Sequence, residues 1–275
     1  MKRKAARPRG SRPTQEPDVQ PTLVRRFVAL GDSQTEGIGD PDGNGGYRGW
    51  ADRFAALLGA ANPGLEYANL AVRGRRAAQV RAEQLEPALA MEPDLVSVLA
   101  GMNDIIRPSF DRAALLADVE AMFATLTASG ADVVTFTFPD IGAVAPFARP
   151  FSARVRTLNA DLRELAARHG VTLLDFEPVA AATHPAAWDE DRLHLSPIGH
   201  DIVARALAAA LAVPGSDDTW REPLPPVDRS FAGTLATEFR WATRYLAPWI
   251  GRRLRGASSG TGHEPKRPVL LPVVA

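Results

Sequence analysis

Gly31-Asp32-Ser33 directly follows the apolar run Phe27-Val28-Ala29-Leu30, and Asp191-Arg192-Leu193-His194 stands far downstream. Between them these segments hold the residue types needed for acyl transfer. A serine hydroxyl is a poor nucleophile at neutral pH, so an imidazole must remove its proton and a carboxylate must hold that imidazole in place. Ser33, His194 and Asp191 suit those three roles. Residues three apart in a turn or helical start can face the same way, so Asp191 could accept the Nδ1 proton of His194 while Nε2 turns toward Ser33. Each fragment alone also has a plainer reading, as a turn or a helix cap.

Acyl transfer further requires donors aimed at the oxygen that becomes negative in the tetrahedral intermediate. Three candidates stand in order along the chain: the backbone N–H of Ser33, the N–H of Gly74 after Asn69-Leu70-Ala71-Val72-Arg73, and the side-chain amide of Asn103 in Gly101-Met102-Asn103-Asp104. Glycine permits close backbone approach at the second of these. Gly74 also reads as a simple turn residue and Asn103 as the cap of a following helix. Asp189 and Asp175 are rivals to Asp191 as the orienting acid, whereas Asp32 is expected to fix the local turn through its own backbone.

The order Ser33, Gly74, Asn103, His194, each at an expected strand end or loop, resembles the four blocks of the SGNH or GDSL hydrolase family over roughly residues 25 to 213. By that resemblance Ser33 is nucleophile and first oxyanion donor, Gly74 and Asn103 are the other donors, His194 is the base and Asp191 orients it. The implied activity is a serine esterase or lipase acting on small-molecule or lipid carboxylic esters, without cofactor or metal. An acyl thioesterase, a lysophospholipase or a carbohydrate O-deacetylase with the same triad is the alternative. In a different class stands a non-catalytic binding or peripheral membrane protein that keeps the fold. The Gly-x-Ser-x-Gly elbow of α/β-hydrolases is not matched, because Thr35 stands two positions after Ser33.

The elements that must position these residues follow from periodicity. Apolar runs near 23–30, 66–71, 94–100, 132–138 and 171–176 read as strands. Helix-periodic segments near 48–60, 76–90, 112–128, 151–168 and 197–211 alternate with them. In the fourth helix Val155, Leu158, Leu162, Leu165 and Ala166 recur at helical spacing before Gly170 stops it. The alternation predicts a doubly wound, three-layer α/β/α, flavodoxin-like parallel sheet of about five strands, with sites beyond the carboxyl ends of the strands. Pocket walls are expected from loops 36–50, 105–112 and 140–150.

Domain organisation reads as a disordered basic tail over 1–22, a hydrolase domain over 23–213, a Pro-rich linker over 214–228, an amphipathic helical extension over 229–255 and a flexible tail over 256–275. Phe231, Leu235, Phe239, Ala242, Leu246, Trp249 and Ile250 line one side of the extension, Pro248 is placed to kink it, and several arginines add charge. It is expected to pack on the domain or a second subunit, or else to rest on anionic lipid.

The 275 residues are 45% hydrophobic and carry a formal net charge of zero, which gives no support to nucleic-acid binding. There is no cysteine, hence no disulfide or thiolate metal site. Arg25-Arg26 opens like a twin-arginine signal, but only four apolar residues follow before Gly31, against the roughly 7–15 of a signal peptide. No stretch approaches the roughly 20 apolar residues of a membrane span, and the expected location is cytoplasmic, with peripheral membrane contact confined to the extension.

Asp40 to Gly45 mimics half an EF-hand loop, but the twelfth position is Ala51, so a glycine-rich loop is expected rather than a calcium site. His169, His184, His200 and His263 are expected to be structural or exposed. Arg73, Arg75 and Arg76, with Arg48 and Arg107, flank the site loops. Were two or more to point inward, they would favour an anionic substrate portion such as a phosphate.

Overall fold

The computed structural model describes residues 23–226, 241–246 and 260–273. The strands β1 (Arg26–Gly31), β2 (Glu66–Asn69), β3 (Leu95–Leu99), β4 (Asp132–Phe136) and β5 (Thr172–Leu174) are all parallel, in the order β5-β4-β3-β1-β2. Phe27 to Leu30 and Leu95 to Val98, the latter apolar but for Ser97, are buried throughout, as expected of strands covered on both faces.

Among the described residues, eight α-helices join and flank these strands: α1 (Ser33–Glu36), α2 (Gly49–Ala61), α3 (Ala77–Ala90), α4 (Met102–Ile105), α5 (Arg112–Ala128), α6 (Ile141–Val144), α7 (Ser152–His169) and α8 (Pro197–Ala210). From β1 the chain moves outward to β2, then returns across β1 to build β3, β4 and β5. Right-handed crossovers therefore place α2 on one face and α3, α5 and α7 on the other. In agreement, α3 packs on α5 and α5 on α7, while α8 closes back against α2. The reversal leaves a crevice beyond the carboxyl ends of β1 and β3, the switch point of a doubly wound sheet.

One stretch differs from expectation. Residues 256–275 were expected to form a flexible tail, yet Arg267–Pro272 forms a sixth strand, β6, antiparallel on the free edge of β2. Its side chains are mostly exposed and it carries Pro268 and Pro272, so it has no buried periodicity to read and resembles an edge strand. Long-range contacts hold it: Arg267 Nε donates to Tyr67 O at 2.7 Å, and the Val273 N–H donates to Leu65 O at 2.9 Å. In the linker, Trp220 is buried, with its ring 6.0 Å from that of Phe176, so this part of the chain is fastened to the domain.

The basic tail over 1–22 lies outside the described residues. So does the extension over 229–255 except for Trp241 to Leu246, where Ala242–Leu246 makes one π-helical turn. Among the described residues no helix is long and apolar enough to cross a membrane.

Candidate active site

Ser33 opens α1 immediately beyond β1. Asp32 caps that helix, its Oδ1 accepting from the Gln34 N–H at 3.1 Å, and the Gln84 side-chain amide brackets Gly31 with bonds of 2.8 and 2.9 Å to N–H and carbonyl. The nucleophile candidate therefore sits on a turn whose backbone is fixed from both sides. The loop before α8 brings in the other two residues. Asp191 Oδ1 accepts from the N–H groups of Leu193 and His194 at 2.8 and 2.9 Å, and Oδ2 lies 2.6 Å from His194 Nδ1. With the Nδ1 proton held there, Nε2 accepts from Ser33 Oγ at 2.9 Å.

Burial opposes ionisation of Asp191, but the hydrogen bond and charge of His194, with the two backbone donors, hold its carboxyl below the ordinary value. Arg192, between Asp191 and His194, has φ of 58°, a left-handed conformation rare outside glycine. That kink turns two successive N–H groups onto Asp191.

The oxyanion candidates converge on the same point. Ser33, Gly74 and Asn103 line one cavity with His194, and neither the Ser33 N–H nor the Gly74 N–H is taken up by an acceptor among the described residues. Gly74 has φ of 75°, which a side chain would disfavour. Asn103 lies in the first turn of the short α4 after β3, and its Nδ2 donates to Asp32 Oδ2 at 2.8 Å and to Arg75 O at 3.1 Å. Polarising an oxyanion would require one of those hydrogens to be shared. Burial pushes the Asp32 carboxyl up to about 6, against the opposing Gln34 bond, His194 charge and Asn103 bond.

The rival acids are engaged elsewhere or offset. Asp175 accepts from Thr137 Oγ1 and Arg163, and Asp189 receives no hydrogen bond from the His194 ring. Asp40 is buried and bonds to Arg53 and the Gly49 N–H, so its carboxylate braces the loop before α2. His200 is fully buried, accepting from the Trp50 N–H and donating to Ile38 O; burial lowers its pKa to about 4.

Several contributors had no readable signal in the sequence. Gln34 clamps the histidine loop, donating to Leu193 O at 2.8 Å and accepting from the Leu195 N–H at 3.3 Å. Buried Glu36 accepts from the Arg73 N–H at 2.7 Å and pairs with its guanidinium, tying the Gly74 segment to the helix that carries Ser33. Trp241 donates from Nε1 to Asp191 O at 3.1 Å and packs against Phe147 with 5.0 Å between centroids.

The cavity measures about 320 Å³. Ile106 and Arg107 come from the second expected wall loop, and Ile141, Val144 and Phe147 from the third. The loop 36–50, expected as a wall, contributes nothing to the lining, because Asp40, Gly49 and His200 pull it toward α2 and α8. Of the five flanking arginines only Arg107 lines the cavity. Arg73 and Arg75 are paired with Glu36 and Glu83, whereas Arg192 and Arg244 enter the lining unforeseen.

A family model described as the GDSL-like lipase/acylhydrolase family matches residues 29–202. An acetylxylan esterase of Geobacillus stearothermophilus is 27% identical over 199 residues, covering 66% of this chain and 91% of its own. The solved structure of an acetylxylan esterase from that organism superposes with a TM-score of 0.57 at 19% identity, over 73% of this chain and 97% of the other. The α/β hydrolase enzyme LAE5, from the metagenome of Lake Arreo in Spain, gives 0.55 at 25% identity, over 70% and 97%. With the match spanning more than half of its length, the chain belongs to the GDSL-like lipase/acylhydrolase family and is a carboxylic ester hydrolase.

Proposed function

We propose that the protein cleaves short-chain carboxylic esters through an acyl-enzyme on Ser33. The observation that carries this reading is the continuous relay from Ser33 Oγ through His194 to Asp191, with spacings of 2.9 and 2.6 Å. His194 takes the Ser33 proton as Oγ attacks the carbonyl. The N–H groups of Ser33 and Gly74, joined by the Asn103 amide, receive the developing oxyanion. His194 then protonates the leaving alcohol, and water activated by the same imidazole releases the acid and restores Ser33. The Asp191 carboxylate stays ionised and holds the imidazolium.

Cavity size supports a small substrate, since about 320 Å³ lies at the low end for small-molecule sites. Removal of acetyl groups from a carbohydrate is the second reading, favoured by the likeness to an acetylxylan esterase over 91% of that protein. Hydrolysis of nitrophenyl esters from acetyl to palmitoyl tests the first, with an optimum expected at the shortest chains and loss of turnover in Ser33→Ala. Activity that survives Ser33→Ala would overturn it. Acetate release from acetylated xylo-oligosaccharides at a rate exceeding that from nitrophenyl acetate would establish the second.

A further inference from the structure

Around the cavity the charges are unevenly satisfied. Its two lining carboxylates are both occupied, Asp191 by His194 and two backbone N–H groups, Asp32 by Gln34 and Asn103. Two of its lining arginines, Arg107 and Arg244, differ from many arginines on the rest of the surface, which are paired, as Arg73 is with Glu36, Arg163 with Asp175 and Arg168 with Glu120. Arg107 and Arg244 have no carboxylate within ion-pair distance among the described residues. The Arg107 Nε is buried without a hydrogen-bond acceptor. A third guanidinium, on Arg192, adds positive charge over the Trp241 ring at 4.8 Å.

The positions of Arg107 and Arg244 are held from outside the reacting centre. Arg154 Nη1 donates to the carbonyls of Ile105 and Arg107 at 2.8 and 3.2 Å, which fixes the Arg107 loop from α7. Arg244 belongs to the short C-terminal segment that Trp241 pins to Asp191 O and that Tyr245 pins to Glu190 with a 3.0 Å hydrogen bond. That segment lies beyond residue 202, the last in the family match, so this charge is an addition to the shared domain. Between the arginines the wall is apolar, formed by Ile106, Ile141, Val144 and Phe147. Guanidinium groups beside apolar surface attract an anion more strongly than they would in open solvent, and their forked donors match carboxylate or phosphate oxygens.

Building on the esterase reading above, we propose that Arg107 and Arg244 form an anion-recognising wall of the Ser33 cavity, so that the preferred ester carries a carboxylate or phosphate on its acyl or alcohol portion. Matched substrate pairs test this at low ionic strength. Nitrophenyl hydrogen succinate against nitrophenyl butyrate probes an acyl carboxylate. Acetoxybenzoate against its methyl ester probes a carboxylate on the leaving group, and acetoxyphenyl phosphate probes a phosphate there. In at least one pair the anionic member should have the higher kcat/KM. The anionic-to-neutral ratio, which cancels any general loss of activity, should fall about tenfold or more in Arg107→Gln and in Arg244→Gln. Added salt should lower the same ratio.

Neutral members preferred in every pair, or ratios unmoved in both variants and in their double, would overturn the proposal. Calorimetric titration of succinate and of inorganic phosphate into the full-length protein provides a readout independent of turnover. Binding that is lost in the double variant supports the wall, and absence of binding by both anions overturns it. Failure of the esterase reading would show separately, as activity on the neutral esters that persists in Ser33→Ala.

Discussion

At Asp191 the backbone and the side chain serve the same end, because the left-handed Arg192 turns two N–H donors onto one carboxylate oxygen and leaves the other for His194. Asp191→Asn should lower kcat by about 10⁴-fold, as expected where an imidazole is held in the wrong tautomer. Asn103→Ala should lower it by roughly 10²–10³-fold, the usual effect of removing one oxyanion donor. Steady-state kinetics on nitrophenyl acetate check both. Two buried groups outside the relay make stability respond to pH in opposite senses. The Asp32 carboxyl is raised from 3.8 to about 6, so the folded state binds its proton more tightly and stability falls as pH rises through that window. His200 is lowered from 6.5 to about 4, so the unfolded state binds its proton more tightly and stability falls as pH drops through that one. Each slope is at most about 1.4 kcal/mol per pH unit, and between about pH 4 and 6 they offset one another. Asp32→Asn should therefore melt at progressively lower temperature on acidification from pH 6.5 to 4, while His200→Gln should gain over the same range. Parallel melting curves for both variants and the native protein would contradict these assignments.

Short loops between elements carry most of the positioning. Gly39 lies so close to the histidine loop that an added Cβ would stand 2.1 Å from Leu195 O, and its φ of 97° disfavours any side chain. Gly39→Ala should displace His194, lowering kcat on nitrophenyl acetate while the far-ultraviolet circular dichroism is retained. Trp241 is a positioning residue: its indole N–H donates to the carbonyl of Asp191 and its ring packs on Phe147 and Arg192, and Trp241→Ala should lower kcat roughly tenfold, with a smaller change in KM. Trp241→Phe keeps the contact with Phe147 and should recover part of that loss; a pure rise in KM would argue against the positioning role. The hydrogen-bonded chain from Ser33 through His194 to Asp191 was legible because Asp191 and His194 are three apart and Ser33 follows an apolar run. Gln34, Glu36 and Trp241 were not, since each acts through a partner distant in sequence: Gln34 through Leu193, Glu36 through Arg73, and Trp241 through Asp191. Nothing in local periodicity records such pairings.

Over the whole molecule, the reversal of strand order between β1 and β3 creates the crevice, and each loop feeding it leaves the carboxyl end of a strand or precedes α8. The five parallel strands and their helices were readable because buried runs and helical spacing are local properties. β6 was hidden for the opposite reason, because its anchors are backbone pairing with β2 and Lys266. The Lys266 ammonium donates to the carbonyls of Tyr47 and Arg48 at 3.0 and 2.6 Å and pairs with Asp52 at 3.0 Å. Lys266→Ala should cost about 0.5–1.5 kcal/mol by removing these partly exposed bonds, a fall of a few degrees in melting temperature by calorimetry. An unchanged melting temperature would show that the edge strand contributes little. Most directly, the identity of the nucleophile is open to covalent labelling by a fluorophosphonate followed by peptide mass mapping. The predicted result is one adduct, on Ser33, formed in step with loss of esterase activity and strongly slowed in His194→Ala. An inactivated protein labelled at another residue, or full activity remaining with Ser33 modified, would contradict the account.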